Sequence, residues 1–175
     1  MDRGNQVRPL ALSLTVLGAV ARLLPHPPNF TPVGGMSLYA GGRLRGWQAF
    51  ALPLLLMAVT DPLLGGYSVA TPFVYLSFMI NVWIGRRLQS TESPWRIGAA
   101  CAICSAQFFV ISNFGTWLGH YYPHTLAGLS LCYVAALPMF ARTLAADLLF
   151  GGALFGLHAW LSRSVRPAER VPVAA

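Results

Sequence analysis

Apolar residues occur along this chain in long stretches that polar and proline-rich segments interrupt. Five stretches have a helical length and composition, namely Arg8–Leu24, Val33–Leu44, Trp47–Leu64, Val69–Ile84 and Ile97–Leu118. A helix needs about 20 mostly apolar residues to cross a bilayer. Val33–Leu44 is shorter and glycine-rich, so we expect a short or tilted span that packs closely on its neighbours. A cleaved signal peptide is the alternative for the first stretch, because arginines precede it and Ala19-Val20-Ala21 ends it.

The last apolar region, Leu126–Leu161, is broken at Pro138 and Arg142 and allows either two spans or one span with a partly inserted hairpin. Positive residues favour the cytoplasmic side of a membrane protein. The arginine clusters all fall inside only if a single span follows the fifth one. We therefore assign Leu126–Met139 to an outer-side helical hairpin and Thr143–Leu161 to span six. The prediction is an all-α membrane protein with six transmembrane helices and cytoplasmic N and C termini.

Composition supports a lipid-facing surface. Only 10% of the residues are charged, whereas a soluble domain carries about 25%. The net charge of +7 comes from short arginine clusters between apolar stretches, which is typical of membrane anchoring and not of a nucleic-acid-binding face. We expect one transmembrane domain over residues 1–162 and a disordered cytoplasmic tail over residues 163–175.

Charged groups inside a membrane cost about 2.5–3.5 kcal/mol each on insertion scales and therefore indicate function. In the predicted topology most of them lie in the outer half, together with imidazoles and aromatic rings, so we expect an outward-facing bowl that binds a small ligand. Its candidate residues are Arg22, His26, Asn29, Asp61, Asn113, Trp117, His120, Tyr121, Tyr122, His124, Cys132, Arg142 and Asp147.

Several of these candidates also have a structural alternative. Asp61 and Asp147 would then form ion pairs with Arg22 or Arg142 that join helices. Asn113 would make an interhelical hydrogen bond. Tyr121 and Tyr122 would belong to the aromatic belt at the membrane interface.

Two loop motifs stand out. Four prolines in residues 22–32 exclude a helix there, so we expect a stiff extended outer loop that holds His26 and Asn29 over the site or simply links two spans. His120 and His124 have a metal-ligand spacing on a helix, but Pro123 disfavours the helix and no third ligand is fixed, so we assign no metal. The chain has no GxSxG or HExxH motif, and we expect neither catalytic residues nor a cofactor.

Small residues repeat every four positions on the first span, at Ala11, Thr15 and Ala19. Such a stripe allows a second helix to approach closely. The second helix belongs either to this chain or to a partner protein.

Three strings, RLLPHPPNFTPVGGMSLYAGG, FFVISNFGTWL and YPHTLAGLSLCYVAALPMFARTLAADLLF, resemble a family of small uncharacterised bacterial membrane proteins. The resemblance covers residues 22–155. With its six spans and outer polar bowl, the chain also resembles the S-components of energy-coupling-factor transporters. This resemblance implies the bacterial cytoplasmic (inner) membrane, a vitamin-like ligand, and partnership with a coupling subunit and ATPases through the first span. The chain is similar, too, to the S-components that bind cobalamin and act without a coupling subunit. This similarity implies a cysteine ligand to cobalt, and Cys132 is the cysteine on the predicted outer side.

The sequence therefore predicts a non-enzymatic, substrate-binding membrane subunit for uptake of a small vitamin or cofactor-like molecule, with a corrinoid among the candidates. Two alternatives come from other classes of protein. One is an intramembrane enzyme that uses Asp and His residues, and the other is a structural subunit of a membrane complex.

Overall fold

The computed structural model describes residues 3–164 of the backbone and the side chains of residues 9–163. All regular structure in that range is helical: α1 (Arg3–Ala21), α2 (Val33–Arg43), α3 (Gln48–Thr60), α4 (Thr71–Gly85), α5 (Pro94–Trp117) and α6 (Leu126–Ser164). Single 3₁₀ turns follow α3 at Asp61–Leu63 and α4 at Arg86–Leu88. The five apolar stretches predicted before residue 126 each contain a helix, and the proline-rich segment after α1 is non-helical as expected. Residues 165–175 of the predicted tail lie outside the described range.

Helix α2 is the centre of the bundle. Its residues 33–42 are all buried, and it contacts each of the other five helices. Its glycines allow this enclosure, because a methyl group on Gly41 would overlap with the backbone carbonyl of Val82, and one on Gly35 would crowd the backbone of Gly151. At 11 residues, α2 is about 16 Å long.

The small-residue stripe of α1 faces the interior of the same chain. Ala11 and Thr15 are fully buried and Ala19 nearly so, and Ala11 packs in a cluster with Ala40 of α2 and Val82 of α4. Of the two alternatives for Ala11, Thr15 and Ala19, the structure therefore has the contact within the chain and not a partner-protein face. The close approach that small residues allow is used within the molecule.

The predicted outer hairpin at Leu126–Met139 is also wrong, as is a separate span starting at Thr143. Helix α6 runs without interruption for 39 residues, through Pro138 and Arg142, which corresponds to about 58 Å. Contacts with α5 on both sides of Pro138 support both halves: the ring of Phe109 packs on Tyr133 and on Phe140, and the Tyr133 hydroxyl donates to the Val110 carbonyl at 2.6 Å. Pro138 removes one backbone hydrogen bond from the helix, and packing against α5 compensates for that loss.

Arginines collect at one end of the bundle, which we call the arginine end. Arg43 donates to the carbonyls of Leu88 and Thr91, and Arg163 pairs with Glu92 at 3.1 Å. These contacts bring the end of α2, the α4–α5 connection and the end of α6 together. The polar candidates predicted for the outer half mostly lie towards the opposite end.

Two helices, α5 and α6, are long and apolar enough to cross a membrane. Shorter apolar helices cover Pro9–Ala21 and Gln48–Leu63.

Candidate functional site

Arg22 and Asp61 form an ion pair at the end of the bundle opposite the arginine end. Arg22 lies in the turn after α1 and Asp61 directly after α3, and their Nη2 and Oδ1 atoms are 2.7 Å apart. Arg22 also donates to the Thr60 hydroxyl at 2.7 Å, and the Tyr75 hydroxyl of α4 donates to Asp61 Oδ2 at 2.6 Å. We call these four residues (Arg22, Thr60, Asp61, Tyr75) the outer network, after the side predicted for them from the sequence. The network joins α1, α3 and α4, and the charges of Arg22 and Asp61 neutralise each other.

The second aspartate, Asp147, lies in a different environment from Asp61. It is 2% exposed in the middle of α6, and its Oδ2 accepts a hydrogen bond from the Ser105 hydroxyl of α5 at 2.7 Å. A backbone hydrogen bond joins it to Gly35 in the first turn of α2. Because Gly34 has no side chain, the carboxylate can lie against α2, since a methyl group there would overlap with Oδ1.

No cation of the described side chains pairs with Asp147. Arg142 precedes it on α6 but is exposed to the surroundings, so the predicted Asp147–Arg142 ion pair is absent. Arg22 is engaged with Asp61. The groups that reach the carboxylate, a hydroxyl and a backbone N–H, carry only partial positive charge.

A cavity of about 40 Å³ opens beside this carboxylate. We call it the Asp147 cavity, and it is lined by Asn29, Thr31, Gly34, Phe78, Phe108, Thr143 and Asp147. The loop between α1 and α2 borders it, and the Asn29 carbonyl of that loop accepts a hydrogen bond from the Thr143 hydroxyl of α6 at 3.4 Å. Asn29 has a positive φ of 62°, a conformation that asparagine tolerates better than most residues.

His26 does not reach the cavity. Its two ring nitrogens lie 3.1 Å from the carbonyls of Arg22 and Pro27, so the ring stabilises the fold of its own loop. Of the two residues that the proline-rich motif singled out, the structure therefore brings only Asn29 to a site.

The remaining candidates gather around the α5–α6 turn. Trp117 donates to the Pro123 carbonyl at 2.9 Å and packs edge-on against His124, whose Nε2 lies 3.1 Å from the Gly119 carbonyl. Cys132 is buried with its Sγ 3.5 Å from the Asn113 carbonyl. His120 and Tyr121 are exposed and Tyr122 is half-buried. The contacts thus sort the predicted bowl into three separate sets: the outer network, the Asp147 cavity and this turn cluster.

Five residues that line the Asp147 cavity were not predicted from the sequence, namely Thr31, Gly34, Phe78, Phe108 and Thr143. Ser105, which donates to Asp147, was not predicted either. Each is an ordinary residue of an apolar helix or loop, and only its position across from Asp147 makes it notable. The one available signal was Gly34-Gly35, because small residues mark places where another group approaches the backbone.

The fold and site define an all-helical protein that encloses a short glycine-rich helix and a carboxylate without a described cationic partner. The chain belongs to the family of unknown function DUF6580, whose model matches residues 4–170. Comparisons with curated proteins and with solved structures found no match.

Proposed function

We propose that this protein is a multi-pass protein of the bacterial cytoplasmic membrane that captures a small vitamin- or cofactor-like solute for uptake, as an S-component does. The observation that carries the proposal is Asp147, a buried carboxylate beside a cavity with no cation of the described side chains to pair with it. Ionisable groups at such depth are expensive and mark sites of solute or ion binding.

Membrane residence is supported by the outward faces of the helices. Large apolar side chains are exposed on every helix except the central α2, as at Val16, Leu55, Trp83, Ile103 and Leu149. A soluble protein rarely exposes so continuous an apolar surface. The concentration of arginines at one end fits the positive-inside rule, with that end in the cytoplasm.

The Asp147 cavity represents a closed form of the proposed site. About 40 Å³ accommodates only a few water molecules, whereas pockets for vitamin-sized ligands are about 300–1,000 Å³. The α1–α2 loop lines one side of the cavity and is linked to α6 there by a long hydrogen bond between Asn29 and Thr143. Solute entry therefore requires this loop to move away from α6.

Two expectations taken from transporter S-components lose their support. The α1 stripe is buried within the chain, so a coupling subunit and its ATPases would need another surface. Cys132 belongs to the turn cluster and not to the Asp147 cavity. The proposal accordingly rests on Asp147, and a corrinoid ligand has no particular support from the cavity.

The enzyme alternative is not favoured by the positions of the two aspartates. Asp61 is engaged by Arg22 and Tyr75, whereas Asp147 contacts Ser105 and α2. A paired-carboxylate mechanism requires two carboxyl groups that share a proton.

Native mass spectrometry of the protein purified in lipid nanodiscs tests the proposal. We expect the wild-type protein to retain a small molecule and Asp147→Asn, which keeps the shape of the side chain, to lose it. Asn113→Ala, in the turn cluster, is the control and should retain it. If the wild-type protein retains nothing, or if Asp147→Asn retains the molecule as the wild type does, the proposed site is wrong.

A further inference from the structure

The charge balance of the Asp147 cavity indicates what kind of molecule it binds. Asp147 is the only titratable group among the lining residues. Two described arginines could pair with Asp147, namely Arg142, which is near in sequence, and Arg22, which lies at the same end of the bundle. Arg22 pairs with Asp61, and Arg142 is exposed. Asp147 therefore has no cationic partner among the described side chains, and a ligand can supply one.

Two neighbouring groups orient the carboxyl group of Asp147. Ser105 donates to Oδ2, and the first turn of α2 supplies a backbone N–H and the positive end of a helix dipole. These groups orient the carboxyl group and leave other lone pairs of its oxygens for a ligand that donates a hydrogen bond.

The other walls are also suited to a cation. Phe78 and Phe108 both line the cavity, with ring centroids 5.1 Å apart and planes tilted by 31°. A cation that lay over the face of either ring would be attracted to it, and more strongly where water is excluded. Asn29, Thr31 and Thr143 add polar side chains with oxygen acceptors. None of the lining residues carries a positive charge that would attract an anion.

We propose that the captured solute carries a protonated nitrogen, which pairs with Asp147 beside the rings of Phe78 and Phe108. This inference rests on the proposed function and narrows it to a cationic class of solute. An inorganic cation is a weaker candidate, because hard metal ions take six or more oxygen ligands and the lining is partly aromatic. The described residues contain no cluster of three metal-binding side chains.

A matched pair of probes tests the charge requirement. Benzylammonium and benzyl alcohol have nearly the same size and differ in charge, and sodium chloride serves as the inorganic cation. Thermal unfolding in nanodiscs is followed while each is titrated. We expect benzylammonium alone to raise the melting temperature. Its apparent Kd should rise about tenfold or more in Asp147→Asn, because a charge-assisted hydrogen bond is lost.

A second variant guards against misfolding of Asp147→Asn. Ser105→Ala removes one group that orients the carboxylate, so it should weaken benzylammonium binding several-fold, while Arg142→Gln should bind as the wild type does. Equal stabilisation by benzyl alcohol, stabilisation by sodium alone, or no response to benzylammonium would overturn the inference.

The mass of the retained molecule distinguishes failure of this inference from failure of the proposed function. A retained solute without a basic nitrogen contradicts the cationic class alone, whereas no retained solute contradicts the proposed function as well.

Discussion

Arg22 and Asp61 show how a charged pair is kept at the end of an apolar bundle. Their side chains are 17% and 10% exposed, so both charges are largely withdrawn from solvent. Each group has a second polar partner, Thr60 for Arg22 and Tyr75 for Asp61. A pair of this kind adds little net stability when intact, but removal of one member leaves the other charge buried without compensation.

We therefore predict that Asp61→Asn destabilises the protein by about 3 kcal/mol, because Arg22 then keeps a buried charge without its counter-ion. SDS-induced unfolding of the protein in detergent measures the change. Glu92→Gln is the matched control, since the Glu92–Arg163 pair is exposed and such pairs contribute less than about 1 kcal/mol. Equal effects of the two substitutions would refute the structural role assigned to Asp61.

Individual charged residues could be found from the sequence, but not their partners. Arg22, Asp61 and Asp147 are conspicuous because charges are rare in apolar stretches, and the Arg22–Asp61 pair was among the alternatives. Ser105 and Gly34 were not predicted, because they become polar or steric neighbours of Asp147 only when α2, α5 and α6 meet. A contact between residues more than forty positions apart has no signature in one sequence.

At the scale of elements, the α2–α4 crossing depends on glycine. Gly41 of α2 lies against the carbonyl of Val82, and Gly85 of α4 lies against the carbonyl of Leu38. Here the obstacle to a side chain is backbone, which cannot rotate away as the end of a side chain does. Any added carbon must therefore separate the two helices.

We predict that Gly41→Ala destabilises the protein by at least about 3 kcal/mol, at the upper end of overpacking costs. Gly152→Ala is the control, because a methyl group there meets nothing within 4 Å, and alanine favours a helix by up to about 1 kcal/mol over glycine. Unfolding midpoints in the same detergent compare the two. A Gly41→Ala protein as stable as Gly152→Ala would show that α2 and α4 do not cross this closely.

Helix bounds were predicted well for the first five elements and poorly for the sixth. Apolar length decides where a helix can form, and it located α2 to α5 within a few residues. In α6, Pro138 and Arg142 were interpreted as a break, yet Phe109 of α5 supports the helix on both sides of the proline. The arginine argument could not detect the error, because a hairpin followed by a span and one long helix both place Arg163 on the same side.

At the scale of the whole molecule, the two ends differ in charge. Arg43, Arg86 and Arg163 are linked by hydrogen bonds to backbone or acid groups at the arginine end. The opposite end carries the α5–α6 turn with its tyrosines and histidines. This asymmetry is the basis of the proposed orientation.

Cysteine labelling of intact spheroplasts tests that orientation. Trp95 lies at the start of α5 and Tyr121 in the turn after its other end, and each is 86% exposed, while the three native cysteines are buried. We predict that a membrane-impermeant maleimide labels Tyr121→Cys in intact cells and Trp95→Cys only after permeabilisation, because the proposed orientation places the arginine end in the cytoplasm. The reverse pattern would contradict the orientation, and equal labelling of both would contradict a membrane-spanning α5.

The enclosure of α2 bears on how the protein is made. α2 emerges from the ribosome before α4 and α6, although those helices supply much of its surroundings. A glycine-rich segment of about 16 Å gains little from lipid by itself. In the proposed membrane protein, α2 therefore lacks part of its surroundings until Asp147 and Gly151 of α6 have been synthesised. The enclosure of α2 is complete only with the last helix, so an interrupted translation product would leave one side of α2 accessible to membrane proteases.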